Sequence, residues 1–250
     1  MALAQALGDG VVFGHVTALR LLEVEVPWTL AGDDRLHVVA RHPQDRPRRT
    51  RGGVVAHWSR QALLGTAAVG ELAVTSPEQT FVHVATGLRM PDDVVVLGDA
   101  MMRRQAMLTT PARLVDAAER TFKVKGIVRV REQIERMRPG TDSSPESRTR
   151  LALVDAHLPC PHVNQVVRAP GGEYVKRVDL LYPDLKIAIE YDGDQHRTDR
   201  AQWREDVRAR RRLEELGWIV IVVVADDVRE PRSLVARVRA AIRSRTGTAL

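Results

Sequence analysis

Cysteine is nearly absent from this chain of 250 residues, which narrows the chemistry that the protein can use. Cys160 has no second cysteine to pair with, which excludes an internal disulfide and any zinc site built on cysteine. We expect Cys160 to be a small buried thiol that packs like an apolar residue.

Long apolar runs are missing as well. The longest, from Trp218 to Ala225, is far shorter than the roughly 20 residues that a membrane-spanning helix needs. The segment that starts at Met1 lacks the basic region and apolar stretch of a signal peptide. Hydrophobic residues make up 44% and charged residues 28%, a balance typical of soluble globular proteins. We therefore expect a cytoplasmic protein that does not associate with membranes.

Lysine is scarce, since 34 of the 38 basic residues are arginine. The formal net charge is +6 and the isoelectric point about 10.1, which permits binding to nucleic acid. Arginine is the better bidentate ligand for phosphate, although a GC-rich genome produces the same bias. Neither half of the chain is a basic tail, so a nucleic-acid site must be a local cluster.

A break in the patterning divides the chain at residues 137–145. This stretch holds two prolines, a glycine and several small polar residues, a composition typical of linkers. We predict an accessory domain at 1–140 and a second domain at 141–250. Two domains also suit the length, since domains commonly have roughly 100–200 residues.

The first domain is predicted to be a mixed α/β domain without a catalytic constellation. The predicted helices are 13–22, 77–86, 91–102, 110–122 and 127–137, and the predicted strands are 36–40 and 54–58. A basic loop broken by prolines, 41–53, could contact phosphate or could be a solvated hairpin. Five histidines are scattered through the sequence, and we expect them to be hydrogen-bonded residues rather than ligands: His15, His37, His42, His57 and His83.

The second domain has a clearer order of elements. Ser144, Pro145 and Glu146 open a helix as N-cap, first helical residue and first-turn acid. The predicted elements are a helix at 144–157, strands at 163–167, 174–182 and 185–190, a helix at 199–216, a strand at 218–224 and a helix at 231–243. This order predicts an α/β sandwich around a small mixed sheet.

Two acidic residues occupy unusual positions in this predicted sheet. Asp179 interrupts one apolar strand, and Glu190 ends the next. A two-residue turn at 184–185 puts the two directly opposite each other, whereas a turn at 183–184 makes them diagonal neighbours. Either register places both carboxylates on one face, with Cβ atoms roughly 5–8 Å apart. Like charges this close repel unless a cation lies between them.

Carboxylate ligands suit a hard cation, so the sequence predicts Mg²⁺ or Mn²⁺ at the acid pair. Glu146 could bring a third carboxylate, and His196 follows a turn at Gly193. Four arginines share one face of the next helix: Arg200, Arg204, Arg208 and Arg211. Metal-bound acids beside cations are what phosphodiester hydrolysis requires, because the ion activates water while arginines hold the nucleic-acid backbone.

Each feature also has an ordinary structural explanation. Asp179 could pair with Arg177, two residues away. His196 could be a loop or capping residue, and the arginine face could be solvated, with Glu205 and Asp206 as partners. The occurrence of all these features in one short segment favours the metal site.

The acids resemble the core of the PD-(D/E)XK nucleases, in which a helix Glu, a strand Asp and a Glu at the end of the next strand recur. The segment is most similar to the very-short-patch-repair (Vsr-like) branch and to a related endonuclease-like domain of GC-rich bacteria. That domain shows Val-Asp, then Glu-x-Asp-Gly-x-x-His, then an acid- and arginine-rich helix before Leu-Gly-Trp. Here these motifs lie at 178–179, 190–196 and 204–218, and the resemblance covers roughly 142–245.

The resemblance implies a restriction-endonuclease-like sandwich with Asp179 and Glu190 as metal ligands and the carbonyl of Tyr191 as a third. Glu146 would assist through a water or the metal. His196 would act as general base or acid near neutral pH.

The chain departs from the superfamily at the position two residues after the motif Glu, where Asp192 replaces a lysine. The Vsr-like branch also lacks that lysine and uses histidine chemistry. Asp192 is then an extra ligand, a group that orients His196, or a sign of lost activity.

The first domain resembles, more weakly, the middle region of proteins that join such a nuclease-like domain to an AbiEi-type antitoxin segment. In those proteins a winged-helix module usually comes first, and the resemblance implies that this chain would start after it. By association, this implies a link to toxin–antitoxin or phage-defence systems. The domain would then recognise DNA or a protein partner.

We therefore expect a metal-dependent DNA endonuclease or nickase with a role in DNA repair or phage defence. One alternative is a catalytically inactive nuclease fold that serves as a DNA-binding or antitoxin-like regulator. A second is a nuclease that acts on RNA or on branched or mismatched DNA, since nothing in the motif reads the sugar.

Overall fold

The computed structural model describes residues 11–40, 44, 53–58, 65–193 and 200–247. The chain divides into two compact units, Met1–Pro139 and Gly140–Leu250. Each unit contains one sheet with both parallel and antiparallel pairs, together with helices. The prediction of a mixed α/β class is therefore confirmed, and the basic loop at 41–53 falls almost entirely outside the described residues.

Unit 1 has a five-stranded sheet in the order β3-β2-β1-β5-β4. Its strands are β1 (Val11–Phe13), β2 (Leu36–Ala40), β3 (Val54–Trp58), β4 (Thr66–Val69) and β5 (Leu72–Thr75). Its helices are α1 (His15–Leu21), α2 (Pro77–Ala85), α3 (Pro91–Met101), α4 (Pro111–Glu119) and α5 (Ile127–Ile134), with a 3₁₀ turn at Trp28–Leu30. β1 pairs antiparallel with β2 and parallel with β5.

The central strand β1 was not predicted, because its three residues run directly into a helix. The helix expected from residue 13 therefore begins only at His15. Gly14 permits this abrupt change, since a Cβ at position 14 would collide with Val39 of the neighbouring strand. The short strands β4 and β5 were also missed, because each has only four residues and no clear alternation.

Unit 2 has a four-stranded sheet in the order β6-β7-β8-β9. Its strands are β6 (His162–Arg168), β7 (Tyr174–Tyr182), β8 (Ile187–Tyr191) and β9 (Ile219–Val223). Its helices are α6 (Ser144–Asp155), α7 (Arg200–Glu215), α8 (Ala225–Arg229) and α9 (Arg232–Thr246), with a 3₁₀ turn at Pro183–Leu185. The first three strands are antiparallel, whereas β9 follows α7 and runs parallel to β8.

Three helices begin with the same chemistry, a capping hydroxyl followed by proline in the first turn. Ser76 caps α2, Thr110 caps α4, and Ser143 caps α6 by accepting from the N–H of Glu146. Each hydroxyl satisfies an N–H group that has no partner inside the helix. The sequence had predicted Ser144 as the cap of α6, which is wrong by one residue.

The two faces of the second sheet pack against different helices. One face presents Leu180, Ile189 and Val223 to α6 and α9, and the other presents residues including Val178 and Leu181 to Leu213 of α7. Val178 and Leu181 are three residues apart yet face the same side. The alternation expected of a strand therefore shifts by one residue around Asp179.

One expectation about a single side chain was wrong, and one grouping of side chains was not expected. Cys160 is exposed rather than buried, and its Sγ lies 3.7 Å from the carbonyl oxygen of Pro161. The histidines of unit 1 are not scattered in space, since ring nitrogens of His15, His37 and His57 lie within 4.8 Å of one another.

None of the helices in the part of the chain that the structure describes combines the length and the apolar composition that crossing a bilayer requires.

Leu213 holds α7 against the second sheet, and its side chain is fully buried. We expect Leu213→Ala to lower the free energy of unfolding by about 2–5 kcal/mol, because the substitution leaves a cavity under the helix. The exposed Val224→Ala should change it by no more than about 0.5 kcal/mol. Equilibrium urea unfolding measures both, and equal losses would contradict this packing.

Candidate active site

The β7–β8 hairpin places the two predicted acids opposite each other. Leu180 pairs with Ile189 in the register that a two-residue turn at 184–185 predicts. Continued by one residue beyond these pairs, that register would bring Asp179 opposite Glu190. Of the two registers open at the level of sequence, the three β7–β8 pairs follow the one that brings the acids closer.

Asp179 lies just beyond the last backbone pair of this hairpin. Its Oδ2 accepts a hydrogen bond of 2.8 Å from the N–H of Tyr191. The carboxylate thus takes the place that a main-chain carbonyl would have in a continuing ladder. The bond also brings the main chain of Tyr191, predicted to offer a ligand carbonyl, next to Asp179.

Glu146 is buried in the first turn of α6, and donors surround its carboxylate. Its Oε2 accepts from the N–H of Asp142 at 3.0 Å and from Asn164 Nδ2 at 2.8 Å, and its Oε1 accepts from Ser143 Oγ at 2.9 Å. The N–H of Glu146 donates in turn to Ser143 Oγ, which is the N-cap contact of α6. Glu146 therefore has a structural role in addition to any chemical one.

The electrostatics show that these acids share one region. Burial and then the charge of Glu146 raise the pKa of Asp179 to about 7, with a smaller contribution from Glu190. The N–H of Tyr191 opposes this rise. Burial also raises the pKa of Glu146, although its three hydrogen bonds partly offset the effect. The structure thus brings together the three acids that the sequence singled out, in surroundings where excess negative charge is unfavourable.

Lys176 is a residue of this site that the sequence analysis did not select. Its Nζ lies 3.2 Å from both oxygens of Glu190 and 2.9 Å from Asp206 of α7. Burial disfavours the ammonium form, but the charges of Glu190 and Asp206 outweigh burial and raise the pKa of Lys176. The sequence offered one signal for Lys176. It is a lysine on an inner strand, in a chain whose basic residues are nearly all arginine.

The inner face of α7 contributes a second cation. Arg210 Nε lies 4.0 Å from Glu190 Oε2, and Asp206 and Leu213 follow the same helix face. Three members of the predicted arginine face point away from this side and are exposed: Arg204, Arg208 and Arg211. The structure does not bring them to the acids, and the side chain of Arg200 lies outside the described residues.

The segment after β8 is described only in part. Asp192 is exposed, and its N–H donates to the carbonyl of Val223 at 2.8 Å, which extends the pairing of β8 with β9. Gly193 packs close to the ring of Tyr191. The predicted acid or base His196 lies outside the described residues.

The site fits a hard divalent cation. Glu190 is 5% exposed, and its Oε1 accepts no hydrogen bond from any residue that the structure describes. Lys176 Nζ lies 3.2 Å from this oxygen without forming a hydrogen bond to it, so the oxygen keeps lone pairs that a bound cation could take. The oxygens available beside it belong to carboxylates and main chain, the donor set that Mg²⁺ and Mn²⁺ prefer.

Two proteins of Mycobacterium tuberculosis are similar to this chain, uncharacterized protein MT2308 and uncharacterized protein Rv2248. Each is 34% identical over 212 residues, which cover 84% of this chain and 76% of the relative. The chain belongs to the same family as these proteins. No family model and no solved structure matches it.

The raised pKa of Asp179 makes a prediction about stability. Between pH 4 and 7 the folded protein holds a proton on Asp179 that the unfolded chain has released, so this group's contribution to stability falls as pH rises. We expect the free energy of unfolding of metal-free Asp179→Asn to exceed that of wild type by on the order of 3 kcal/mol at pH 8 and to match it at pH 3.5. Urea unfolding at both pH values in EDTA measures the difference.

The matched control is Asp184→Asn, since Asp184 is an exposed acid at the other end of the same hairpin. This variant should follow wild type at both pH values. A gain for Asp179→Asn that does not depend on pH would rule out the buried charge as its cause.

Lys176 should be important for stability in the absence of metal. Lys176→Met leaves the buried carboxylate of Glu190 without its nearest cation, and the lysine side chain is 19% exposed. We expect a loss of about 1–3 kcal/mol in urea unfolding, less than for a fully buried pair. Lys186→Met, at an exposed position in the same unit, is the control. Equal effects would contradict the assigned role of Lys176.

Proposed function

We propose that unit 2 is a metal-dependent phosphodiesterase that cleaves DNA as an endonuclease or a nickase. The observation that carries this proposal is the pair Asp179 and Glu190, opposite each other on adjacent strands, with Glu146 near enough to raise the pKa of Asp179. Structural acids are usually paired with cations or kept apart, whereas metal sites gather them.

The residues suited to hold Mg²⁺ or Mn²⁺ are Asp179, Glu190 and the carbonyl of Tyr191. When bound, such an ion would supply Lewis acidity toward a phosphate oxygen and a lower pKa for an attacking water. Loading would also remove the proton from Asp179, because a nearby dication favours the carboxylate.

The protein's own groups would prepare this site in three ways. The N–H of Tyr191 fixes the carboxylate of Asp179. Lys176 orients Glu190 from the side of α7, where Asp206 holds the ammonium in turn. The hydrogen bonds to Glu146 keep a negative charge near the pair without requiring that residue to be a ligand.

Nucleic acid is the substrate class that the charge of the chain favours. The exposed arginines Arg204, Arg208 and Arg211 offer contacts to a phosphate backbone that passes over α7. Such contacts do not distinguish DNA from RNA, because they do not reach the sugar. RNA and branched or mismatched DNA therefore belong in the same substrate panel.

A second candidate function has its own supporting observation. Lys176 already supplies a positive charge to Glu190, and Asp192, at the position of the superfamily's lysine, is exposed. These features suit a nuclease fold that binds DNA as a regulator without cleaving it.

For both candidate functions we propose a cytoplasmic protein that is linked to DNA repair, phage defence or a toxin–antitoxin system. Unit 1 would recognise DNA or a protein partner.

Relaxation of supercoiled plasmid separates the two functions. We expect wild-type protein to nick DNA with Mg²⁺ or Mn²⁺ and not with EDTA. Asp179→Asn and Glu190→Gln should reduce the rate at least about 100-fold, since a metal ion contributes several kcal/mol to such reactions. Rates are measured by gel densitometry on single-turnover time courses.

The controls are Asp184→Asn and Glu214→Gln, which change exposed acids of the same unit. Both should cleave like wild type. Nicking that survives in Asp179→Asn would point to a contaminating nuclease and overturn the assignment. DNA binding without cleavage by any variant, unaffected by metal, would support the regulator instead.

A further inference from the structure

We propose that unit 1 contains a second metal site, in which His15, His37 and His57 hold one divalent transition-metal ion such as Zn²⁺. This site is separate in sequence and in ligand chemistry from the acids of unit 2. It does not depend on nuclease activity.

The three histidines come from two adjacent strands of the first sheet and from the helix that follows β1. His37 lies on β2 and His57 on β3, and the parallel pairing of His37 with Val55 and of Val39 with His57 puts both rings on one sheet face. His15 opens α1 immediately after β1. Its backbone has φ of +50°, a conformation uncommon outside glycine, so the fold holds this ring in place at some cost.

The distances between the rings suit a shared ion. Ring nitrogens of the three residues lie within 4.8 Å of one another, and His37 Nδ1 lies 2.9 Å from His57 Nε2. A tetrahedral zinc with bonds of about 2.0 Å holds its nitrogens about 3.3 Å apart. The closest pair must therefore open by a few tenths of an ångström. His15 stacks on His57 with ring centroids 3.6 Å apart, so these two rings must separate and tilt by more than the closest nitrogen pair before both can bind one ion.

The carboxylate of Asp33 contacts His37 at the ring nitrogen that faces away from His57. His37 Nε2 lies 3.2 Å from Asp33 Oδ2, which leaves Nδ1 directed toward His57. Hydrogen bonds from Arg35 hold the pKa of Asp33 well below its usual range, so Asp33 is a carboxylate that can accept the Nε2 proton. A carboxylate behind a metal-bound histidine fixes the tautomer and makes the other nitrogen a better donor.

A fourth histidine closes the cluster on the side of α2. His83 stacks on His15 with centroids 5.0 Å apart, and Gln79 contacts His83 Nε2 at 2.9 Å. His83 Nδ1 is buried and has no hydrogen-bond partner among the described residues. An unsatisfied ring nitrogen beside three potential ligands makes His83 the candidate for the fourth coordination position.

The donors of the cluster are imidazole nitrogens. Nitrogen donors favour Zn²⁺, Cu²⁺ or Ni²⁺ over Mg²⁺, so the ion expected here differs from the one expected at the acids of unit 2.

The test is Zn²⁺ binding by the full-length protein after removal of metal with chelator and gel filtration. Titration in competition with a chromophoric zinc indicator should give one site per chain. His57→Gln should weaken that site more than about 100-fold, because loss of an outer carboxylate alone weakens zinc sites about 10–100-fold. Asp33→Asn should show this smaller effect, and Mg²⁺ should not compete.

Two controls separate this site from other zinc ligands. His162→Gln changes an exposed histidine of unit 2, and Asp179→Asn removes a carboxylate at which zinc could also bind. Both should retain the wild-type affinity, so that the outcome is independent of the nuclease proposal. Absence of zinc binding by wild type, or equal binding by wild type and His57→Gln, would overturn the proposal.

Circular dichroism establishes that each variant is folded. If His57→Gln is not folded, Co²⁺ titration of wild type decides the question. Visible absorption bands of tetrahedral, nitrogen-ligated Co²⁺, displaced by Zn²⁺, would support the site, and the lack of such bands would overturn it.

Discussion

The burial of acidic side chains at one end of the β7–β8 hairpin is the constraint on which the second unit depends. Asp179 and Glu190 are brought together by strand pairing, and neither can move away without breaking the register that buries the strands' apolar residues. The surrounding groups compensate for this concentration of charge. Lys176 and Arg210 approach Glu190, and a main-chain N–H binds Asp179.

Compensation is incomplete, which is why we propose that the site binds a cation. Burial, followed by the charge of Glu146, raises the pKa of Asp179 to about 7. A cation that binds beside Asp179 would favour the charged carboxylate and relieve the repulsion that raises its pKa. The same local charge excess that weakens the metal-free fold therefore strengthens metal binding.

Strand periodicity and turn length were sufficient to predict that Asp179 and Glu190 lie opposite each other. Both are local rules, and β7 carried a strong enough pattern for its bounds to be predicted to the residue. Lys176 was missed because its contact with Glu190 depends on the shift in alternation near Asp179, which no local pattern signals. The histidines of unit 1 were missed for a related reason, since β1 and the parallel pairing of β2 with β3 bring them together.

The amide of Asn164 connects two parts of unit 2 that are distant in sequence. Its Nδ2 donates both to the carbonyl of Gly140 and to Glu146, while its own backbone has φ of +48°. The residues just before α6 are therefore part of the acid cluster rather than a passive connection. Local opening of residues 140–143 would remove two donors that stabilise the Glu146 carboxylate and would raise its pKa further, which reduces the negative charge facing Asp179. Amide hydrogen exchange at residues 140–143 and cation affinity at the acids are thus expected to be one coupled equilibrium, in which a bound ion favours the closed form.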